Sequence, residues 1–70
     1  MAVLNTIELE GVSPDSWKGA AQEALREAAK TLRNIQRMDI LGTSVVVETN
    51  GDLEYRTRVR LLFEVDRRTG

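Results

Sequence analysis

The sequence predicts an α+β domain of element order β-α-β-β, in which a three-stranded antiparallel or mixed sheet wraps one helix, with residues 1–70 forming that single domain. Three stretches carry the prediction. Leu53–Val65, LEYRTRVRLLFEV, alternates at period two: Leu53, Tyr55, Thr57, Val59, Leu61, Phe63 and Val65 fall on one face, and Glu54, Arg56, Arg58, Arg60, Leu62 and Glu64 on the other. Trp17–Asn34, WKGAAQEALREAAKTLRN, combines high helix propensity with no internal proline. Asn50-Gly51 is a strong hairpin signal, placed just before the long strand.

In chain order, Val3–Glu10 alternates as a first strand, which Gly11 is expected to end. Val12-Ser13-Pro14-Asp15-Ser16 then carries the marks of a helix entry. Ser13 caps with Pro14 at the first helical position, or Asp15 or Ser16 caps a slightly later start, and the sequence leaves these open. Along the helix, Trp17, Ala20, Ala21, Ala24, Leu25, Ala28 and Leu32 recur at three- and four-residue spacing as one stripe. Most of that stripe is alanine, so it sits close to a sheet but buries little area per residue at ~25 cal/mol per Å².

After the connection Ile35-Gln36-Arg37, residues 38–49, MDILGTSVVVET, read as the second strand, with a bulge or a close backbone approach at Leu41-Gly42-Thr43. A strand, crossover helix and strand in one sheet favour parallel first and second strands. The hairpin sets the third strand antiparallel to the second and allows it to lie between the other two. One sheet face then meets the helix, and the other sets Arg56, Arg58 and Arg60 opposite carboxylates such as Glu8 and Glu10, across strands or across subunits. Asp66–Gly70 reads as a polar tail.

Seventy residues bury only ~60% of the surface they expose when unfolded, which leaves a single chain marginal. Small scaffolds need a staple. With no Cys and no His, disulfides are excluded and zinc is disfavoured, so self-association is the staple that remains. Ten basic residues against eleven acidic ones give no basic excess for nucleic acid. The arginine run also lacks interleaved aromatics on which bases could stack. No segment approaches the ~20 apolar residues of a membrane span, and the start lacks a secretory pattern. A cytoplasmic protein is the expectation.

Acid–base and nucleophilic enzymes draw most often on His, Cys or a tuned carboxylate. Here the carboxylates Glu8, Glu10, Asp39, Glu48, Asp52, Glu54 and Glu64 occupy positions suited to solvated faces, so no enzyme is expected. Carboxylates brought together by symmetry can bind Ca²⁺ or Mg²⁺, but no EF-hand pattern locates such a site. Gly11-Val12-Ser13-Pro14 precedes a helix start, where backbone N–H groups favour anions. Without a glycine-rich fingerprint it reads as an ordinary β-to-α turn. Trp17 reads as an anchor in the core or in a subunit contact.

The turn GVSPDSW, the helix AAQEALREAAKTLRN and the ending EYRTRVRLLFEV, in β-α-β-β order, together resemble the dodecin family over nearly the whole chain. The resemblance implies a hollow homododecamer that stores a small ligand without turnover. In the flavin-binding type, isoalloxazine pairs (riboflavin or FMN) lie between symmetry-related tryptophans, assisted by a glutamine. The Trp stands in a stretch like Leu-Arg-Asn-Leu-Asp-Trp-Phe, and the Gln directly follows the Tyr of the last strand. The corresponding residues here are Leu32-Arg33-Asn34-Ile35-Gln36-Arg37-Met38 and Tyr55-Arg56, so both ligand positions hold arginine, Arg37 and Arg56.

Two stacked guanidinium groups bring cations together and lose the indole contact, which disfavours the usual flavin site. They suit an anionic guest, because arginine contacts phosphate in bidentate fashion. Ser16-Trp17, Ala20-Ala21, Glu23-Ala24 and Tyr55-Arg56 also resemble a calcium-dodecin branch that lacks the flavin tryptophan. That likeness implies calcium as a possible ion, while no residue set singles out its ligands. The expected function is a non-enzymatic homododecameric shell that binds or buffers small ligands or ions. The alternatives are flavin storage at an altered site and a purely structural assembly.

Overall fold

The computed structural model describes residues 3–65, so the tail expected at Asp66–Gly70 lies outside the described residues. Its elements are β1 (Val3–Ser13), α1 (Trp17–Ala29), β2 (Ile35–Val47) and β3 (Leu53–Val65). The sheet order is β1-β3-β2, and both neighbouring pairs are antiparallel. Of the antiparallel and mixed arrangements, the sheet is therefore the antiparallel one. β1 and β2 run the same way, as expected of a crossover, but β3 lies between them.

β3 spans the residues expected of it. As the central strand it is bonded on both sides, and its two faces differ as the alternation requires. Thr57, Val59 and Leu61 are buried under the helix, while Arg58 is exposed on the opposite face. Together with Ala21, Ala24 and Ala28, Val59 and Leu61 make the core, flanked by half-covered Ile7, Leu9, Leu25, Leu32, Ile35 and Met38.

β1 does not end at Gly11 but runs on to Ser13. Gly11 is there for the helix that crosses it: a Cβ at this position would lie 1.7 Å from the Ala20 carbonyl oxygen and 3.1 Å from the Ala24 nitrogen. The glycine is thus a strand residue against which another backbone packs. Beyond it, Ser13 Oγ accepts from the backbone N–H of Asp15 and of Ser16, at 3.1 and 3.4 Å. Ser16 is the N-cap, with its hydroxyl accepting from Gly19 N at 2.9 Å. The two serines of the turn thus have separate tasks, one closing the turn and one capping the helix.

α1 ends at Ala29, earlier than the expected Asn34. Thr31 N and Leu32 N both donate to the Ala28 carbonyl, and Asn34 adopts φ 60°, a left-handed conformation that asparagine tolerates and that turns the chain back toward the sheet. β2 consequently starts at Ile35 and stops at Val47 instead of spanning 38–49. Its pairing with β3 slips between Ile35 and Arg37 and between Ile40 and Gly42, the second slip being the bulge expected at the glycine.

The hairpin closes through a five-residue connection. Gly51 N donates to Glu48 O, Glu48 N donates to Asp52 O, and Gly51 sits at φ 91°. This is a type I turn followed by a glycine bulge, one of the standard longer hairpin closures.

A helix of 13 residues is ~20 Å long, while a strand of 13 residues reaches ~43 Å. α1 therefore covers less than half of β3. It packs on β1 and β3 and barely touches β2, which leaves Ile40 and Val47 exposed on the helix side of β2.

Gly11→Ala is expected to cost about 3 kcal/mol, the upper range for overpacking, because backbone rather than a flexible side chain blocks the added methyl. Gly42, with nothing within 4 Å of an added Cβ, should tolerate alanine within about 0.5 kcal/mol. Urea unfolding of both variants at one fixed protein concentration checks the contrast.

Candidate functional site

The register places a ladder of charges on the sheet face away from α1. Glu8 stands opposite Arg60, Glu10 opposite Arg58 and Val12 opposite Arg56 on the β1 side. Asp39, Gly42 and Ser44 stand opposite Arg60, Arg58 and Arg56 on the β2 side. The acids and bases expected to face each other do so across strands of one chain. Arg60 Nη2 donates to Glu8 Oε2 at 3.3 Å. Arg56 donates to Glu54 Oε2 through Nε at 2.9 Å and Nη2 at 2.6 Å, and to Glu10 Oε2 through Nη1 at 3.2 Å. The hydrogen bonds to Glu54 first, and those to Glu10 next, raise the Arg56 pKa further above its ordinary value, which fixes its positive charge.

Arg37 lies on this same face of β2, across from Leu62, and pairs with Asp39 at 3.2 Å. Six residues of β3 separate its row from that of Arg56, a distance of ~20 Å along the strand. One chain does not bring the two expected ligand residues together. What it does bring together is a hollow of about 400 Å³ lined by Glu8, Glu10, Gly42, Ser44, Arg58 and Arg60, among others.

Arg58 is the least engaged cation here. Its nearest carboxylate oxygen, on Glu10, is 3.8 Å away and its side chain is 62% exposed. Gly42 opposite it supplies no side chain, so the hollow is open beside that guanidinium. Arg58 was legible only as one member of an arginine run. Its greater freedom depends on Gly42, whose part in the site the sequence did not disclose.

On the helix face, Trp17 joins three elements. Its Nε1 donates to Ser44 O at 3.0 Å, its carbonyl accepts from Thr57 Oγ1 at 2.8 Å, and its ring meets Tyr55 edge-on at 5.3 Å. Trp17 is thus not the core anchor that was one of its two expected roles, since it remains 43% exposed and lies outside the core cluster.

Among the described residues no three acidic side chains gather closely enough to hold a metal ion. Glu8, Glu10, Glu54 and Asp39 are each already paired with arginine. Arg56, expected at a ligand position, is already held by two carboxylates.

These features define a small wrapped-helix α+β protein whose ordered chemistry is charge pairing on an open sheet face. Its relatives place it further. The family model described as Dodecin matches residues 3–66, and the chain belongs to the dodecin family. It is 29% identical over 65 residues to the calcium dodecin of Mycobacterium tuberculosis, covering 93% of this chain and 92% of that protein. A crystal structure of calcium dodecin from M. tuberculosis superposes with a TM-score of 0.86 at 26% identity, covering 97% of each chain. A crystal structure of a dodecin variant from T. thermophilus gives a TM-score of 0.89 at 26% identity, covering 97% of this chain and all of that one.

Arg56→Gln is expected to lower the unfolding midpoint more than Arg37→Gln, because Arg56 joins two carboxylates and Arg37 one. The difference should shrink at about 1 M salt, where the screening length falls to ~3 Å. Thermal unfolding at low and high salt measures both.

Proposed function

We propose that the chain assembles into a non-enzymatic, cytoplasmic homododecameric shell that binds or buffers small anionic molecules or ions. Arg37 and Arg56 belong to its guest-binding surface, and Arg58 offers the first contact. The observation that carries the reading is the arginine ladder. It is a face of positive groups held at fixed spacing by carboxylates, with one guanidinium left largely unpaired beside an open hollow. An anion entering there gains charge-assisted hydrogen bonds from a group that loses little in return.

Self-association is supported by the thin core, whose only large fully buried apolar side chains are Val59 and Leu61 among the described residues. It is supported as well by membership of the family. The kinship with a calcium dodecin favours calcium as a second guest. Its site would need carboxylates from more than one copy, because those of a single chain are occupied by arginine.

Light scattering should give a particle of twelve times the 7.9 kDa chain; a stable monomer would sink the shell. The purified protein should be colourless and leave added riboflavin fluorescent, whereas quenching would put flavin storage first. Calorimetric titration with pyrophosphate should show binding that weakens about tenfold in Arg58→Gln, the loss of one charged hydrogen bond. No heat from pyrophosphate, together with no rise in melting temperature on adding calcium, would leave a purely structural assembly.

A further inference from the structure

We propose that the tip of the β2–β3 hairpin of one copy seats in the apolar groove between α1 and β2 of the next, so that the shell closes through tip-in-groove contacts. The proposal rests on the self-association reading above. The groove exists because α1 lies over β1 and β3 and leaves β2 uncovered. It is a hollow of about 510 Å³ whose walls include Trp17, Ala21 and Leu25 from the helix and Met38 and Ile40 from β2. Ile40 is 54% exposed, a state that a chain with so small a core gains by relieving.

The tip supplies the matching surface. Val47 and Leu53 pair across the end of the hairpin and are 70% and 44% exposed. They cannot reach their own groove. Thr57, bonded to the Trp17 carbonyl, marks the level at which the helix begins, and its partner Thr43 lies four residues before Val47. The tip therefore projects ~13 Å beyond the helix start, while the groove runs the other way, toward Met38. Only another copy can bring the two together. Such a contact uses different patches on its two sides, the kind that closes into rings when the rotation allows.

Charge selects the same pairing. Glu48 and Asp52 flank the tip, and Lys18 lies at the groove. None of the three takes part in an ion pair among the described residues. Seating the tip would place two unpaired carboxylates beside an unpaired ammonium group, which sets orientation as well as attraction.

The test uses the full chain in two disabled forms, a tip variant carrying Val47→Glu and Leu53→Glu and a groove variant carrying Ile40→Glu. Each alone should lose the large particle seen for the parent by light scattering. Mixed in equal amounts they should form a two-chain species, because one intact tip then meets one intact groove. Particles of parental size from either variant, or a mixture that stays monomeric, would overturn the contact while leaving the shell itself standing. A monomeric parent would remove both.

Circular dichroism shows whether Ile40→Glu remains folded. If it does not, Lys18→Glu replaces it. That change should move the dissociation midpoint by on the order of tenfold in concentration, and adding Glu48→Lys with Asp52→Lys should restore the parental value. Failure of that charge exchange to restore assembly would equally overturn the proposal.

Discussion

The contact on which the rest depends is the crossing of α1 over β1 at Gly11, where helix and strand backbones meet with no room for a single methyl group between them. Ala20 and Ala24 on the helix side are as small as the crossing demands. A close crossing gives good van der Waals contact, but it also removes the space that large side chains would otherwise fill. The interior consequently holds four buried alanines from the helix against Val59 and Leu61 from β3. Because the helix is drawn to the β1 side, β2 keeps an uncovered inner face. Thin interior and bare strand are two results of one crossing.

β3 carries both halves of the molecule. Its inner row makes the core, and its outer row makes the ladder of arginines. A shift of one residue in its pairing would exchange the two rows and bury the charges, so the register is under strong control from both neighbours. That control also spaces the guanidinium groups at every second residue, each within reach of a carboxylate on β1 or on its own strand.

The strand Leu53–Val65 was legible to the residue because a central strand with unlike faces must alternate strictly. The sequence suggests that β1 ends at Gly11, because a glycine that ends a strand and one that admits a neighbouring helix look alike in sequence. The sequence extends the helix five residues beyond its end at Ala29, because Lys30-Thr31-Leu32 has acceptable helical propensity. What stops it is the backbone reversal at Asn34, a tertiary requirement of joining β2. The start of β2 was hidden by the slip next to Gln36, which breaks the alternation where it would have been recognised. Of the site, the face shared by Glu8, Glu10 and the three arginines followed from period two alone. The expectation that Arg37 and Arg56 contact a ligand rests on family resemblance alone. The freedom of Arg58 depended on the empty place at Gly42, which only the register discloses.

Trp17 is the sole tryptophan of the chain. It stands where the helix begins, bonded to β2 through its indole nitrogen and braced edge-on against Tyr55. A molecule with one indole at one junction has a built-in optical reporter. Its ultraviolet emission originates at the uncovered side of the helix and carries no background from any other tryptophan. The colour and intensity of that light follow the wetness of a single crevice, so the dryness of this one place can be watched in the unlabelled protein.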